Sequence, residues 1–272
     1  MPIANKDFDN GKPFDFGRIS ADYAKFRDIY PAEFYEKLAE LKIGTAGQKI
    51  LDLGTGTGVL PRNMQRFGGK WTGADISENQ IHFARSLSET AGMKIDYIVS
   101  SAESLDFDPE SFDIVTACQC FMYFDKSVVL PKIHSWLKTG GHFAVLFMAW
   151  IPADSEIATK SEELVLKYNP DWSGGGWKRN AVTMPDWAKP YFGLEDAVGF
   201  DIPVSFTRET WHGRIKSCRG IGASSLSAEE IAKWEKEHLA YLATVPETFD
   251  IPHWVTILNL RKKYVASRHA HA

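Results

Sequence analysis

Three cysteines in 272 residues, Cys118, Cys120 and Cys218, are too few and of the wrong parity for a disulfide framework, and they suit a reducing compartment. A basic surplus is missing too. The formal net charge is -4 and the isoelectric point about 6.1. There is no stripe of Lys and Arg of the kind that neutralises duplex phosphates, so no nucleic-acid partner is expected. Long hydrophobic runs are also absent: the longest, Phe143–Ile151, falls far short of the roughly 20 residues of a membrane helix. The opening residues Met1-Pro2-Ile3-Ala4-Asn5-Lys6-Asp7 lack the charged-then-apolar order of a signal peptide. These absences lead us to expect a cytoplasmic protein with no membrane partner.

What is present is an ordinary globular composition, 44% hydrophobic, on a chain long enough for one large domain with an elaboration at roughly 100–200 residues per domain. Residues 1–20 are polar and glycine-containing, a segment expected to be poorly ordered unless it covers something. From Pro31 a helix is expected, with Phe34, Leu38 and Leu41 on one face. Strands and helices then alternate. Lys49–Leu53 reads as a buried strand, the stripe Leu60, Met64, Phe67 as a helix, and Trp71–Ile76 as a second strand. Ser77-Glu78-Asn79-Gln80 reads as a capping box for a helix with Ile81, Ala84 and Leu87. Ile95–Val99 and Phe112–Cys120 follow as strands. A helix with Val129, Ile133 and Trp136 is expected to end at Gly140-Gly141 before a fifth strand over Phe143–Met148. This order argues for a parallel sheet covered on both faces. The pattern breaks at Trp150. Residues 150–193 hold prolines, Gly174-Gly175-Gly176 and seven Trp, Tyr and Phe side chains, which reads as a cap. Val198–Phe206 is expected as a strand, with Thr207 capping a helix that shows Trp211, Ile215 and Cys218. Ser227-Ala228-Glu229-Glu230 is a second capping box, and Trp254–Leu260 a last strand.

The most informative segment is Asp52-Leu53-Gly54-Thr55-Gly56-Thr57-Gly58. Glycines let the backbone turn sharply and let a ligand approach the main chain, while the following helix offers unpaired N–H groups. A dinucleotide fingerprint would need glycine where Val59 stands, so a nicotinamide-dependent oxidoreductase is the weaker reading. Asp75 closes the second strand nineteen residues after Gly56, where a carboxylate can accept both hydroxyls of a ribose; alone it would read as an acid at a helix start.

With these motifs the chain resembles the class I S-adenosylmethionine-dependent methyltransferases, in the small-molecule branch with a D-x-G-x-G-x-G loop. Leu137-Lys138-Thr139-Gly140-Gly141 is similar to that family's L-K-P-G-G turn, and Tyr23-Ala24-Lys25-Phe26-Arg27-Asp28-Ile29-Tyr30-Pro31 to a Y-x-x-x-R-x-x-Y-P segment that folds over the cofactor. The resemblance implies a Rossmann-like three-layer sandwich: an α/β fold with a seven-stranded, mostly parallel sheet, an antiparallel C-terminal strand and a small cap insert. It implies S-adenosylmethionine as cofactor, S-adenosylhomocysteine as product, and a monomer or homodimer. Asp52 would face the methionine amino group, and Gly54, Thr55, Gly56 and Gly58 would admit the cofactor. Asp75 would hold the ribose, Ile76 would contact the cofactor, and Ser101, Ala102 and Glu103 would hold the adenine, with Ser101 where relatives usually have Asp. Cys118 would lie against the cofactor, and Tyr23 and Arg27 would close on its methionine end, unless both merely pack a surface helix. The implied organisation is a lid and helix over 1–45, a cofactor-binding core over 46–149, the aromatic cap over 150–193, completion of the core over 194–265 and a tail over 266–272.

Methyl transfer is an in-line displacement at carbon, so orientation, at about 7–11 kcal/mol, outweighs a general base, which typically adds about 10²–10⁴-fold. On the acceptor side, Tyr123 and His212 are the candidates to take a proton, and Arg214 the candidate to fix an anionic substrate group, within a pocket walled by Tyr123, Trp150, Trp211 and Arg214. An isolated helical histidine more often simply packs. Cys118 and Cys120 share a strand face, but small core residues are the usual meaning of such a pair, and no metal is expected. The expected function is methyl transfer to a small-molecule acceptor, against the alternatives of a non-catalytic cofactor-binding module and the oxidoreductase.

Overall fold

Apolar residues at every second position along the central strands build two cores, one on each face of a single sheet. In the computed structural model, which describes residues 3–264, the central strands are β1 (Lys49–Leu53), β2 (Lys70–Asp75), β3 (Asp96–Val99), β4 (Phe112–Cys118) and β5 (Leu137–Trp150). Two long strands, β6 (Phe192–Thr207) and β7 (Thr248–Lys262), complete the sheet. The order is β3-β2-β1-β4-β5-β7-β6, and β7 runs antiparallel to both of its neighbours while the other six strands share one direction. Ile50, Ile114, Ala144 and Ile257 enter one core, and Leu51, Val115, Phe143 and Leu258 the other, as the twofold repeat of a strand requires. This is the three-layer, seven-stranded fold expected from the sequence.

The helices supply the outer layers. Helix α2 (Ala32–Glu40) and α3 (Val59–Met64) put Phe34, Leu38, Leu60 and Met64 into the first core. Helix α5 (Lys126–Trp136) puts Val129, Ile133 and Trp136 into the second. Helix α4 (Glu78–Thr90) lays Ile81 and Ala84 on Tyr97. Ser77 caps α4 by accepting from the Gln80 amide, but Gln80 does not return the bond: its side-chain Nε2 donates to the Phe16 carbonyl at 3.1 Å. The expected box is therefore half made, because the N-terminal segment competes for the glutamine. No helix among the described residues is long and apolar enough to cross a membrane.

Several boundaries differ from expectation. Helix α5 stops at Trp136, and β5 begins at once, through the two glycines that were expected to end the helix. Leu137 pairs with Phe112 and His142 with Ile114, so β5 carries extra residues in a bulge. Gly140 takes φ +78° there, and a Cβ on Gly141 would lie 2.9 Å from the carbonyls of Asp113 and Lys138. The glycines serve the bulge, not a cap. Within residues 150–193 the structure holds a thirteen-residue helix, α6 (Glu156–Tyr168), capped by Ser155. Its inward stripe includes the polar Ser161 and Glu162, which hid its period. Helices α7 (Arg208–Lys216) and α8 (Ala228–Leu242) open where Thr207 and Ser227 were expected to cap them. The tail at 266–272 lies outside the described residues.

The N-terminal segment is held to the rest of the molecule. Ile3 bridges to Phe14, the Asp15 amide donates to the Ala223 carbonyl at 2.7 Å, and α1 (Ser20–Phe26) follows, packed on α7. Asp9 is buried, with its Oδ2 3.0 Å from Arg219 Nε and its Oδ1 accepting from the Ser173 amide at 2.8 Å. This segment covers something after all.

Candidate functional site

The chain order reverses between β1 and β4, and the carboxyl ends of the parallel strands open there onto a cavity of about 570 Å³. Such a switch point leaves room for a ligand because the connections on its two sides diverge. The strand ends supply the floor and the N-terminal segment, through Ile3, Phe8 and Phe16, supplies the cover.

On the β1 side, the loop after β1 turns on three left-handed glycines, with φ +62° at Gly54, +57° at Gly56 and +73° at Gly58. Only glycine takes such a run without strain. Gly54 and Gly56 line the cavity, whereas Thr55 and Gly58 do not. A Cβ on Gly58 would stand 2.3 Å from the Tyr97 hydroxyl. Gly58→Ala is accordingly expected to lose about 1–3 kcal/mol of stability from backbone strain alone, measured as a lower urea midpoint. An unchanged midpoint would show that the loop can re-form without the left-handed turn.

Asp75 closes β2 beside this loop. Its Oδ2 accepts from the Gly56 amide and its Oδ1 from the Ser77 amide, each at 2.9 Å. Burial raises its pKa, and those two amides oppose the rise. Ile76 next to it is 39% exposed, unusual for a large aliphatic side chain and suited to the face of a flat ring. Ser101, Ala102 and Glu103, after β3, close the same end. The Ser101 hydroxyl donates to Ser104 Oγ at 3.0 Å, and Glu103 Oε1 accepts from the Asp125 amide at 3.0 Å. Gln80 also reaches the cavity, and its side-chain Oε1 is buried without a hydrogen-bond partner. A nucleoside fits this end on the structure's own terms: a carboxylate for two hydroxyls, an exposed aliphatic wall and an open glycine backbone.

Asp52 stands behind the glycine loop, 1% exposed, and does not line the cavity. Its Oδ1 accepts from the Thr116 hydroxyl at 2.7 Å. Burial pushes its carboxyl up to about 7, against the pull of that hydroxyl. An unfolded aspartate loses its proton near pH 4, so between about pH 4 and 7 the folded chain binds the extra proton. The stabilisation this gives is full at the acid end, falls as pH rises through that window, and is flat above it. Asp52→Asn is expected to remove that slope from urea unfolding free energies measured at about pH 5 and pH 8. A slope unchanged in the variant would assign it to another group.

On the far side the cavity is lined from β4, β5, the 150–193 segment and α7. Gln119, just after β4, takes φ +65°, uncommon for a side chain of its size. Its amide donates to the Leu146 carbonyl and its Nε2 to the Met148 carbonyl, which fixes the strand ends and turns the following residues inward. Cys118 faces the cavity and meets the Tyr30 hydroxyl at 3.6 Å, with burial pushing its thiol up to about 12. Cys120 Sγ donates to the Leu53 carbonyl at 3.0 Å, and burial raises that thiol as well. Both thiols are partly buried and hydrogen-bonded within the protein. Among the described residues no three His, Cys, Asp or Glu side chains gather as a metal-ligating cluster.

Tyr23, Arg27, Tyr123, Trp150 and Arg214 all reach the cavity. The Arg27 guanidinium lies 4.8 Å from the Tyr23 ring centroid. Tyr123 is enclosed by Phe8 and Phe14, with ring centroids 5.1 and 5.2 Å away. Burial, resisted by Arg219, pushes its hydroxyl up to about 12. His212 and Trp211 are elsewhere. Trp211 is wholly buried and donates to Ser161 Oγ at 2.9 Å. His212 stacks on Trp234 and shares a 2.9 Å nitrogen–nitrogen contact with His238. Burial lowers the pKa of both histidines. The residues that sequence reasoning missed are Gln80, Gln119, Phe8, Asp9, Arg219, Phe147, Trp172 and Trp177; only the aromatics of the 150–193 segment left a signal, in composition.

Comparison with known proteins agrees with this geometry. Residues 50–141 match a family described as a methyltransferase domain. Over 133 residues the chain is 33% identical to a ubiquinone biosynthesis O-methyltransferase of Ruegeria pomeroyi, covering 47% of this chain and 54% of that protein. The chain spans about half the length of the curated relatives it matches. Among solved structures, a protein from Bacillus halodurans described as a methyltransferase aligns with a TM-score of 0.54 at 19% identity, covering 86% of this chain and all of that one. The [4+2]-cyclase SpnF aligns at 0.51 and 16% identity, covering 86% of this chain and 82% of that one. These likenesses in structure establish the fold alone.

Proposed function

We propose that this chain, whose residues 50–141 match a methyltransferase domain, is a class I S-adenosylmethionine-dependent methyltransferase that moves a methyl group from S-adenosylmethionine to a small-molecule acceptor. The observation that carries this reading is the junction of the left-handed glycine loop with Asp75 at the switch point, where Asp75 already meets the Gly56 amide.

Asp75 would hold the ribose hydroxyls, with Ile76 and Ala102 against the adenine. Gly54 and Gly56 would admit the main body of the cofactor. The orphaned Gln80 Oε1 supplies an acceptor for an ammonium hydrogen, and Arg27 a fork for the cofactor's carboxylate. When bound, S-adenosylmethionine supplies a methyl group on a sulfonium, already activated for displacement. The chain's own contribution is orientation and exclusion of water: Phe8, Phe16, Tyr123 and Trp150 surround the cavity with apolar surface, and among the described residues no histidine stands on its wall. Tyr123 would help to orient the acceptor, whereas His212 stacks on Trp234 outside the cavity lining and would not reach it.

The test is transfer of a trideuterated methyl group from labelled S-adenosylmethionine into a small-molecule metabolite extract, read by mass spectrometry. A labelled small molecule is expected. Reduction or oxidation of added NAD by the same extract, with no methyl transfer, would overturn the reading.

A further inference from the structure

Arg214 is 5% exposed, lines the cavity, and has no acidic partner among the described residues. Its Nε is buried without a hydrogen-bond partner, and its Nη1 reaches only Cys218 Sγ, at 2.8 Å. The guanidinium lies 4.8 Å from the centroid of the Trp150 ring, so one face is covered and the fork edge remains. Arg27, the second cation on this wall, reaches the same sulfur at 3.6 Å and likewise joins no ion pair among the described residues. The contrast is Arg219, the third arginine of the cavity, which is matched by buried Asp9 at 3.0 Å. Glu162 is committed elsewhere, accepting from Trp150 Nε1 at 2.6 Å and from the Gly176 amide at 2.9 Å. A buried charge with no counter-charge is costly, and a thiol does not offset it.

We propose that Arg214 is the acceptor-recognition residue and that the acceptor is a small organic carboxylate with a flat, apolar body. The proposal rests on the methyltransferase reading. S-adenosylmethionine brings one carboxylate, an ammonium and a sulfonium, and is a cation overall. Its carboxylate can match one of these two guanidinium groups, and Arg27, stacked on the Tyr23 ring that itself lies beside Gly56, is the one nearer the glycine loop by this contact. Arg214 then still lacks an anion while the site has gained positive charge. A carboxylate suits the Arg214 guanidinium because its two oxygens match the fork in one plane. The body is set by the walls nearby: Trp150 under the guanidinium, and Phe147 against Trp177 with ring centroids 4.5 Å apart.

The test uses the full chain saturated with S-adenosylhomocysteine, titrated with benzoate, cinnamate and indole-3-acetate, each against its primary amide. At least one carboxylate is expected to bind tenfold or more tightly than its amide. That preference is expected to vanish in Arg214→Gln and to survive in part in Arg214→Lys, with S-adenosylhomocysteine affinity kept within twofold in both. The ligand-free melting temperature of Arg214→Gln is expected to equal or exceed the parent's, because an unmatched buried charge is gone; a purely structural arginine would give a fall. Equal binding of acids and amides, no binding of either, or a preference that persists in Arg214→Gln would overturn the proposal. So would loss of S-adenosylhomocysteine binding in Arg214→Gln, which would put the cofactor's carboxylate on this residue. If the parent itself does not bind S-adenosylhomocysteine, the methyltransferase reading fails, and the same acid–amide comparison on the cofactor-free chain still decides whether Arg214 is an anion site.

Discussion

Asp75→Ala is expected to weaken S-adenosylhomocysteine binding by about 100-fold or more. Two hydrogen bonds from ribose hydroxyls to one carboxylate are worth about 1.5–3 kcal/mol each, and about 1.4 kcal/mol is tenfold in affinity. The loss has a second source. Asp75 now accepts from the Gly56 amide, so its removal also loosens the loop on which the cofactor would lie. Asp75→Asn, which keeps one acceptor oxygen, is expected to fall between the two. Equilibrium dialysis at matched protein stability checks this. An affinity unchanged in Asp75→Ala would place the ribose elsewhere.

Asp9→Ala is expected to open the N-terminal cover. Asp9 and Arg219 form a buried ion pair, and Asp9 also holds the Ser173 amide, so this one carboxylate ties three parts of the chain together over the cavity. Removing one partner of such a pair costs about 3–5 kcal/mol because the other charge stays buried. That corresponds to roughly 10²-fold or more in the opening equilibrium. The cost falls on a segment that can detach locally, so hydrogen exchange of the amides over residues 3–19 should rise while the sheet stays protected. Release of bound S-adenosylhomocysteine should quicken with it. The double variant Asp9→Ala, Arg219→Met, which removes both charges, is expected to recover most of the protection. No change in exchange for Asp9→Ala would mean that the cover is held by its aromatic contacts alone.

The parallel half of the fold was legible because its signals are local. A strand such as Lys49–Leu53 entering a glycine turn, followed by an acid at the end of the next strand, fixes both an element and its neighbour within thirty residues. What misled were residues with two structural meanings. Gly140-Gly141 can stop a helix or shape a bulge, and the choice is made by pairing with Phe112 and Ile114, far away in sequence. Helix α6 was hidden because Ser161 and Glu162 are buried polar residues on its inner face, bound to His238 and Trp150 from other elements. On α7 the helical period separates neighbours: Trp211, Arg214 and Ile215 lie on its inner side, while His212 is turned about 100° from Trp211 toward α8, and Cys218 follows just beyond the helix end. The ion pair of Asp9 with Arg219 and the left-handed Gln119 have no local signature at all.

The most direct measurement is calorimetric titration of the intact chain with S-adenosylmethionine, S-adenosylhomocysteine and NAD. Saturable binding of the first two at one site, each displacing the other, with no heat from NAD, is the predicted result. Binding of NAD alone, or of none of the three, would contradict the assignment of this cavity to S-adenosylmethionine.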